Sequence, residues 1–246
     1  MYCRYWCRSS GNAVLFARLG AKLALTDRDE AKLQRTRDEC VRAGPADSEQ
    51  PLLVIAELSS ETDVARLFDT TIKKLRRLDV LVNNAGTGEY GTIETTSLEQ
   101  YDRTMNVNVR AAYLIATRGS IVNVSSLLAS RSVPGALAYS MSKAAIDQMT
   151  SCTALELAAK GVRVNSVNPG ITDTAIYKRG GMSDDDIAKL RERCKTTHPL
   201  GRIGNVEDVA QAIAFLAYSR GLMHHLSLVN ISMLTVEDMQ LAFVDF

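Results

Sequence analysis

The sequence predicts an α/β protein built as a single domain, 1–246, around a doubly wound parallel sheet. Three observations carry that prediction. From about residue 20 onward, short apolar runs alternate with longer stretches of helical period. Strand–helix alternation of this kind implies right-handed crossovers and a sheet covered on both faces. A chain of 246 residues is also long enough to bury a substantial core without a second domain.

Taken in order, the first strand is the doubtful one. Residues 2–7 could serve, but in a central parallel position Arg4 would be buried at a cost on the order of several kcal/mol unless paired. A helix of about two turns follows over 13–19. The run KLALT at 22–26 reads as a strand, and a charged helix over 29–42 ends near Gly44 and Pro45. LLVIA at 52–56, VLV at 80–82, IVNV at 121–124 and VRVNSV at 162–167 are further strands, with helices between them over 61–75, 98–117 and 136–159. Past residue 170 the rhythm changes. The charged, glycine-bearing segment 177–204 holds a helix at 184–195 and reads as a lid or substrate loop within the domain. An apolar helix follows at 206–217, and 226–234 reads as a last strand.

Composition narrows the function. Lys plus Arg number 29 against 28 Asp plus Glu, so no net field argues for nucleic acid or an anionic membrane surface. No stretch approaches the roughly 18 apolar residues of a membrane span, and the N-terminus lacks the apolar centre of a secretory signal. Five cysteines, odd in number and scattered, suit a reducing, cytoplasmic compartment. Cys3 and Cys7 have no second ligand pair at metal spacing, and the adjacent His224 and His225 cannot share a helix face, so no metal is expected.

Ligands of a doubly wound sheet bind outside the carboxyl ends of its strands, and that is where the chemistry-bearing motifs fall. NNAG (83–86) follows the strand 80–82. NVSS (123–126) closes the strand 121–124, and VNPG (167–170) closes 162–167, with Thr172 and Thr174 just beyond. YSMSK (139–143) opens the long helix, placing Tyr139 and Lys143 one turn apart on one face. At about 4 Å and an effective dielectric near 20, the ammonium would favour a phenolate by up to roughly 4 kcal/mol. That could move the phenol from about 10 toward about 7, the range useful for acid–base work.

In their order and spacing, NNAG, NVSS, YSMSK and VNPG resemble the short-chain dehydrogenase/reductase family, its 3-oxoacyl-carrier-protein reductases in particular, over about residues 13–217. The resemblance implies a Rossmann-like fold and NAD(P)-dependent interconversion of a small-molecule secondary alcohol and a ketone. Tyr139 would be the proton donor and acceptor. Lys143 would lower its pKa and bind the nicotinamide ribose. Ser126 would hydrogen-bond the substrate oxygen, and Asn108, preferred over Asn106, would hold a water of the proton relay. The cofactor would be held by Ser10, Gly11, Asp27, Arg28, Glu57, Leu58, Asn84, Ala85, Gly86, Pro169, Gly170, Thr172 and Thr174, together with Tyr139 and Lys143. Asp27, at a strand end, suits the ribose hydroxyls of NAD; the adjacent Arg28 leaves NADP as the alternative. A homo-oligomer is compatible with the family pattern.

The sequence also departs from the family. Where a TGxxxGxG loop is expected, residues 7–13 read CRSSGNA, of which Ser9, Ser10 and Gly11 are a remnant. The connection from Asn108 to Ser126 is short, and the tail lacks the family's glycines. An alternative reading is therefore an inactive protein of this fold with impaired cofactor binding, or an incomplete gene product acting at most as an interaction partner. The segment 177–204 bears no motif that names a substrate.

Overall fold

Successive side chains of a strand point to opposite faces of its sheet, and that division sorts the apolar residues of this chain into two core layers. The computed structural model describes residues 4–7 (backbone only), 10–113 and 119–218. The strands are β1 (Arg4–Cys7), β2 (Lys22–Asp27), β3 (Leu52–Ile55), β4 (Val80–Asn83), β5 (Ser120–Val124) and β6 (Arg163–Val167). They form a six-stranded sheet in the order β3-β2-β1-β4-β5-β6, every pair parallel. The chain reverses its direction of travel between β1 and β4, which opens a crevice at their carboxyl ends.

One face of the sheet carries α1 (Ser10–Arg18), α2 (Glu30–Ala43) and α9 (Val206–Tyr218). Phe16, Leu33, Ile213 and Leu216 from these helices pack on Leu25, Val82 and Val122. The opposite face carries α3 (Glu61–Leu75), α4 (Leu98–Met105), α5 (Ala111–Tyr113) and α6 (Leu137–Ala158). There Leu67, Ala111 and Ala154 cover Ala24, Leu81, Ile121 and Val164. Two further helices, α7 (Ile176–Arg179) and α8 (Asp184–Thr197), lie between β6 and α9. Side-chain caps set several helix starts: Asp29 accepts from Lys32 N at 3.0 Å, Ser97 from Gln100 N at 3.1 Å and Ser183 from Asp186 N at 3.1 Å.

The structure amends the sequence reading in three places. The doubtful first strand is present and central, paired with both β2 and β4. Helix α1 begins at Ser10, a turn earlier than expected, and runs nine residues. The helix expected over 98–117 is interrupted by a π turn at Asn106–Arg110; such bulges insert one residue and re-aim the chain. The short connection into β5 turns at Gly119, with φ 123° and a Cβ position only 2.2 Å from the Asp79 carbonyl oxygen, so no side chain fits there. Residues 114–118 and 219–246, with Cys3, Ser9, His224, His225 and the strand expected over 226–234, lie outside the described residues, as does the Arg4 side chain.

A buried amide chain ties the second layer to the sheet. Asn83 and Asn123, paired in register on β4 and β5, are joined at 2.8 Å. Asn123 Nδ2 then donates to Thr150 Oγ1 of α6 at 2.9 Å. Replacing Asn123 by Ala orphans the Asn83 amide, at about 1–3 kcal/mol. A fall in Tm of about 2–4 °C per kcal/mol is therefore expected. A calorimetric scan of Asn123→Ala with an unchanged Tm would show that the chain carries no stability.

Candidate active site

The ends of β5 and β6 and the first turns of α6 are cross-linked by polar groups, and these contacts position the reactive side chains. Ser125 N donates to Val167 O at 2.8 Å and Leu127 N to Pro169 O at 2.9 Å, so NVSS and VNPG are one unit. Ser125 Oγ donates to the Lys143 carbonyl at 3.1 Å. Asn168 Nδ2 reaches both Ser126 O, at 3.2 Å, and Asp147 Oδ2 of α6, at 2.7 Å.

Lys143 is 5% exposed. Its ammonium donates to Val124 O at 2.7 Å and lies 5.6 Å from the Tyr139 ring centre. Burial pushes it down to about 8, against the opposing charge of Asp147. Tyr139 is not lowered toward 7 as the i, i+4 spacing suggested. Burial drives the phenol above its ordinary value; a hydrogen bond with Ser126 opposes this and Tyr90 reinforces it. The ammonium does not lower the phenol because it is turned to the Val124 carbonyl and burial outweighs it. Asn108, in the π turn, is buried. Its Oδ1 accepts from Thr87 N at 2.8 Å and its Nδ2 donates to Thr87 O and Ser142 Oγ at 3.0 and 2.9 Å. The carboxamide thus clamps the segment after β4 to α6, with one acceptor lone pair left over.

A cleft of about 740 Å³ opens over these groups. Of the residues expected to hold cofactor or substrate, it brings together Ser10, Asn84, Ala85, Gly86, Ser126, Tyr139 and Lys143 from one side, and Pro169, Gly170, Thr172 and Thr174 from the other. Gly11 is not among them. It lies in the first turn of α1, where a Cβ would come 2.1 Å from Val206 Cγ1, so its smallness serves the packing of α1 on α9. Asp27, Arg28 and Glu57 do not line the cleft and are engaged in ion pairs. Asp27 accepts from Asp29 N and pairs with Lys32 Nζ, each at 3.2 Å; Arg28 pairs with Glu57 at 3.2 Å. Burial raises the Glu57 carboxyl, but hydrogen bonds from Ser59 and Arg28 outweigh it and hold the group below its ordinary value. Leu58 and Asn108 line a smaller neighbouring cavity with Asn84 and Ala85.

The cleft also draws in residues that sequence reasoning passed over: Lys32, Tyr90, Tyr177, Arg179 and Arg193. Of the site's polar groups outside that expectation, Ser125 and Asn168 had a sequence signal, their places inside NVSS and VNPG. The cleft suits an anionic dinucleotide. Helix α1 presents its N-terminal turn to it through Ser10, Asn12 Nδ2 bonds Asn84 Oδ1 at 3.3 Å, and among the described residues no carboxylate lines it. No group of three metal-ligand side chains occurs among the described residues, and no helix is long and apolar enough to cross a membrane.

A family model described as Enoyl-(Acyl carrier protein) reductase matches residues 9–223. The chain is 34% identical over 226 residues to the 2-(R)-hydroxypropyl-CoM dehydrogenase of Xanthobacter autotrophicus, covering 85% of this chain and 88% of that protein. Among solved structures, a short-chain dehydrogenase/reductase of unknown function from Caenorhabditis elegans, determined with cofactor, superposes with a TM-score of 0.82 at 30% identity, over 96% of this chain and 97% of the other. The 3-ketoacyl-(acyl-carrier-protein) reductase of Brucella melitensis, complexed with NADH, gives a TM-score of 0.79 at 29% identity, over 92% and 95%.

The depressed Lys143 has a pH signature. Its folded value near 8 lies below the unfolded value of 10.5, so the unfolded state binds the extra proton between those limits and stability rises with pH there. From pH 8 to 9.5 the wild type should gain about 2 kcal/mol relative to Lys143→Met. Urea titrations of both proteins at the two pH values measure it; parallel curves would mean that the ammonium is not depressed.

Proposed function

The chain belongs to the short-chain dehydrogenase/reductase family of oxidoreductases, and from that premise we propose that it interconverts a secondary alcohol and a ketone with a nicotinamide dinucleotide as redox partner. The observation that carries this reading is that Ser126, Tyr139 and a buried Lys143 stand together in the wall of one cleft.

In the direction of reduction, Tyr139 gives its phenolic proton to the carbonyl oxygen, and in oxidation it takes the proton back. A phenol held neutral by burial is loaded for donation. Ser126 donates a hydrogen bond to the same oxygen, where negative charge develops. The dinucleotide, when bound, supplies or accepts the electron pair as hydride. Lys143, held on Val124 O, would also bind the nicotinamide ribose, and its positive charge would favour the tyrosinate left after proton transfer. Asn108 keeps the segment after β4 on α6 and holds a relay water with its remaining lone pair.

The N-terminal turn of α1 at Ser10 would hold the pyrophosphate, and Asn84, Ala85, Gly86, Pro169, Gly170, Thr172 and Thr174 would hold the rest of the dinucleotide. Asp27, at the end of β2, would disfavour a 2′-phosphate, so NAD is the proposed cofactor, with NADP the alternative through the exposed Arg28.

Titration of the purified protein with NADH and NADPH, followed by nicotinamide fluorescence, should show the tighter binding for NADH. Tyr139→Phe should keep that binding and lose ketone reduction by on the order of 100-fold or more. Failure of both nucleotides to bind at millimolar concentration would sink the reading.

A further inference from the structure

Resting on that reading, we propose that the substrate is an anionic ketone or alcohol: an apolar body bearing a carboxylate, sulfonate or phosphate that Arg179 and Arg193 grip at the lid side of the cleft.

Seven cationic side chains lie in 177–204. Five are ion-paired: Lys178 with Asp184 at 2.9 Å, Lys189 with Asp186 at 3.6 Å, Arg191 with Asp173 at 2.7 Å, Lys195 with Glu192 at 2.6 Å and Arg202 with Asp208 at 2.7 Å. None of these five lines the cleft. The remaining two, Arg179 and Arg193, both line it, and neither has an ion-pair partner among the described residues. Arg179 Nε donates to Ala175 O one turn back at 3.3 Å, which leaves its terminal nitrogens for a ligand. Acidic side chains are abundant on the lid, so leaving these two guanidinium groups unpaired reflects where they point.

Both are placed by packing. Leu190, Arg193 and Thr197 line the cleft together, the i, i+3, i+7 spacing of one face of α8. Arg179 ends α7 next to Gly180, where a Cβ would come 2.2 Å from Gly88 O and 2.8 Å from the Tyr90 ring. That close approach fixes the end of α7 against the segment leaving β4, on the substrate side of Tyr139. Tyr90, Leu128, Val133, Ile176 and Met182 supply apolar wall around it.

Four cations and no carboxylate line the cleft among the described residues. Lys143 belongs to the proton-transfer group and Lys32 is paired with Asp27, so the two arginines are the charge left unassigned. Guanidinium forks bind planar or tetrahedral oxoanions through two parallel hydrogen bonds, and a cleft of one sign concentrates ligands of the other.

The test compares 4-acetylbenzenesulfonate and 4-acetylbenzoate with the neutral 4-acetylbenzamide as ketones, with NADH. The wild type should prefer the anions in kcat/KM by about tenfold or more, the preference shrinking with salt. Arg179→Gln and Arg193→Gln should each cut that ratio by about tenfold, while Lys189→Gln, which changes a paired lid residue away from the cleft, should keep it. The sulfonate and carboxylate arms identify which oxoanion fits. Equal use of the neutral ketone, or an Arg193→Gln effect confined to the KM for NADH, would overturn the proposal and leave the oxidoreductase reading standing. Calorimetric titration with 4-acetylbenzenesulfonate separates the opposite failure. Binding lost in the arginine variants, with no turnover of any ketone, would keep the oxoanion site and refute the oxidoreductase reading.

Discussion

The polar seam between α6 and the ends of β5 and β6 is the constraint on which the rest of the site depends. Helix α6 contributes both Tyr139 and Lys143, and an apolar contact alone would let it slide or rotate on the sheet. Directional bonds prevent that. Lys143 reaches Val124 O, Ser125 reaches the Lys143 carbonyl, Asn123 reaches Thr150, and Asn168 joins Ser126 O to Asp147. Each bond is buried or partly buried, where a missing partner is expensive, so the helix has one register in which all are satisfied. In that register Tyr139 meets Ser126 and Lys143 lies beneath.

The seam also explains why burial, and not the neighbouring ammonium, dominates the titration of Tyr139. Closing polar groups away from water raises a phenol and lowers an ammonium together, and the Lys143 proton is held by a neutral carbonyl. Burial therefore keeps the Tyr139 phenol protonated and weakens the hold of Lys143 on its proton.

Much of this was legible along the chain. Strand–helix alternation and three motifs at strand ends placed Asn84, Ser126 and Pro169 at one edge of a parallel sheet, because strand C-termini of such a sheet converge there, and YSMSK put Tyr139 and Lys143 on one face of the helix that follows β5. Gly11, read along the chain as a phosphate-loop remnant, also serves the contact of α1 with α9, a contact between segments nearly 200 residues apart in sequence that no local pattern announces. The π turn at Asn108 was equally hidden, since it answers to the Thr87 backbone and Ser142, not to helix propensity.

By itself, then, the sequence determined the α/β architecture and most of its elements, because periodicity and turn chemistry are local properties of the chain. Only the tertiary structure decided how burial shifts Tyr139 and Lys143, which glycines are packing positions, and which of the seven cations of 177–204 line the cleft. Those depend on burial and on partners brought together from distant segments, and the same Arg in the same helix is a surface ion pair or a free guanidinium according to which neighbour the fold supplies.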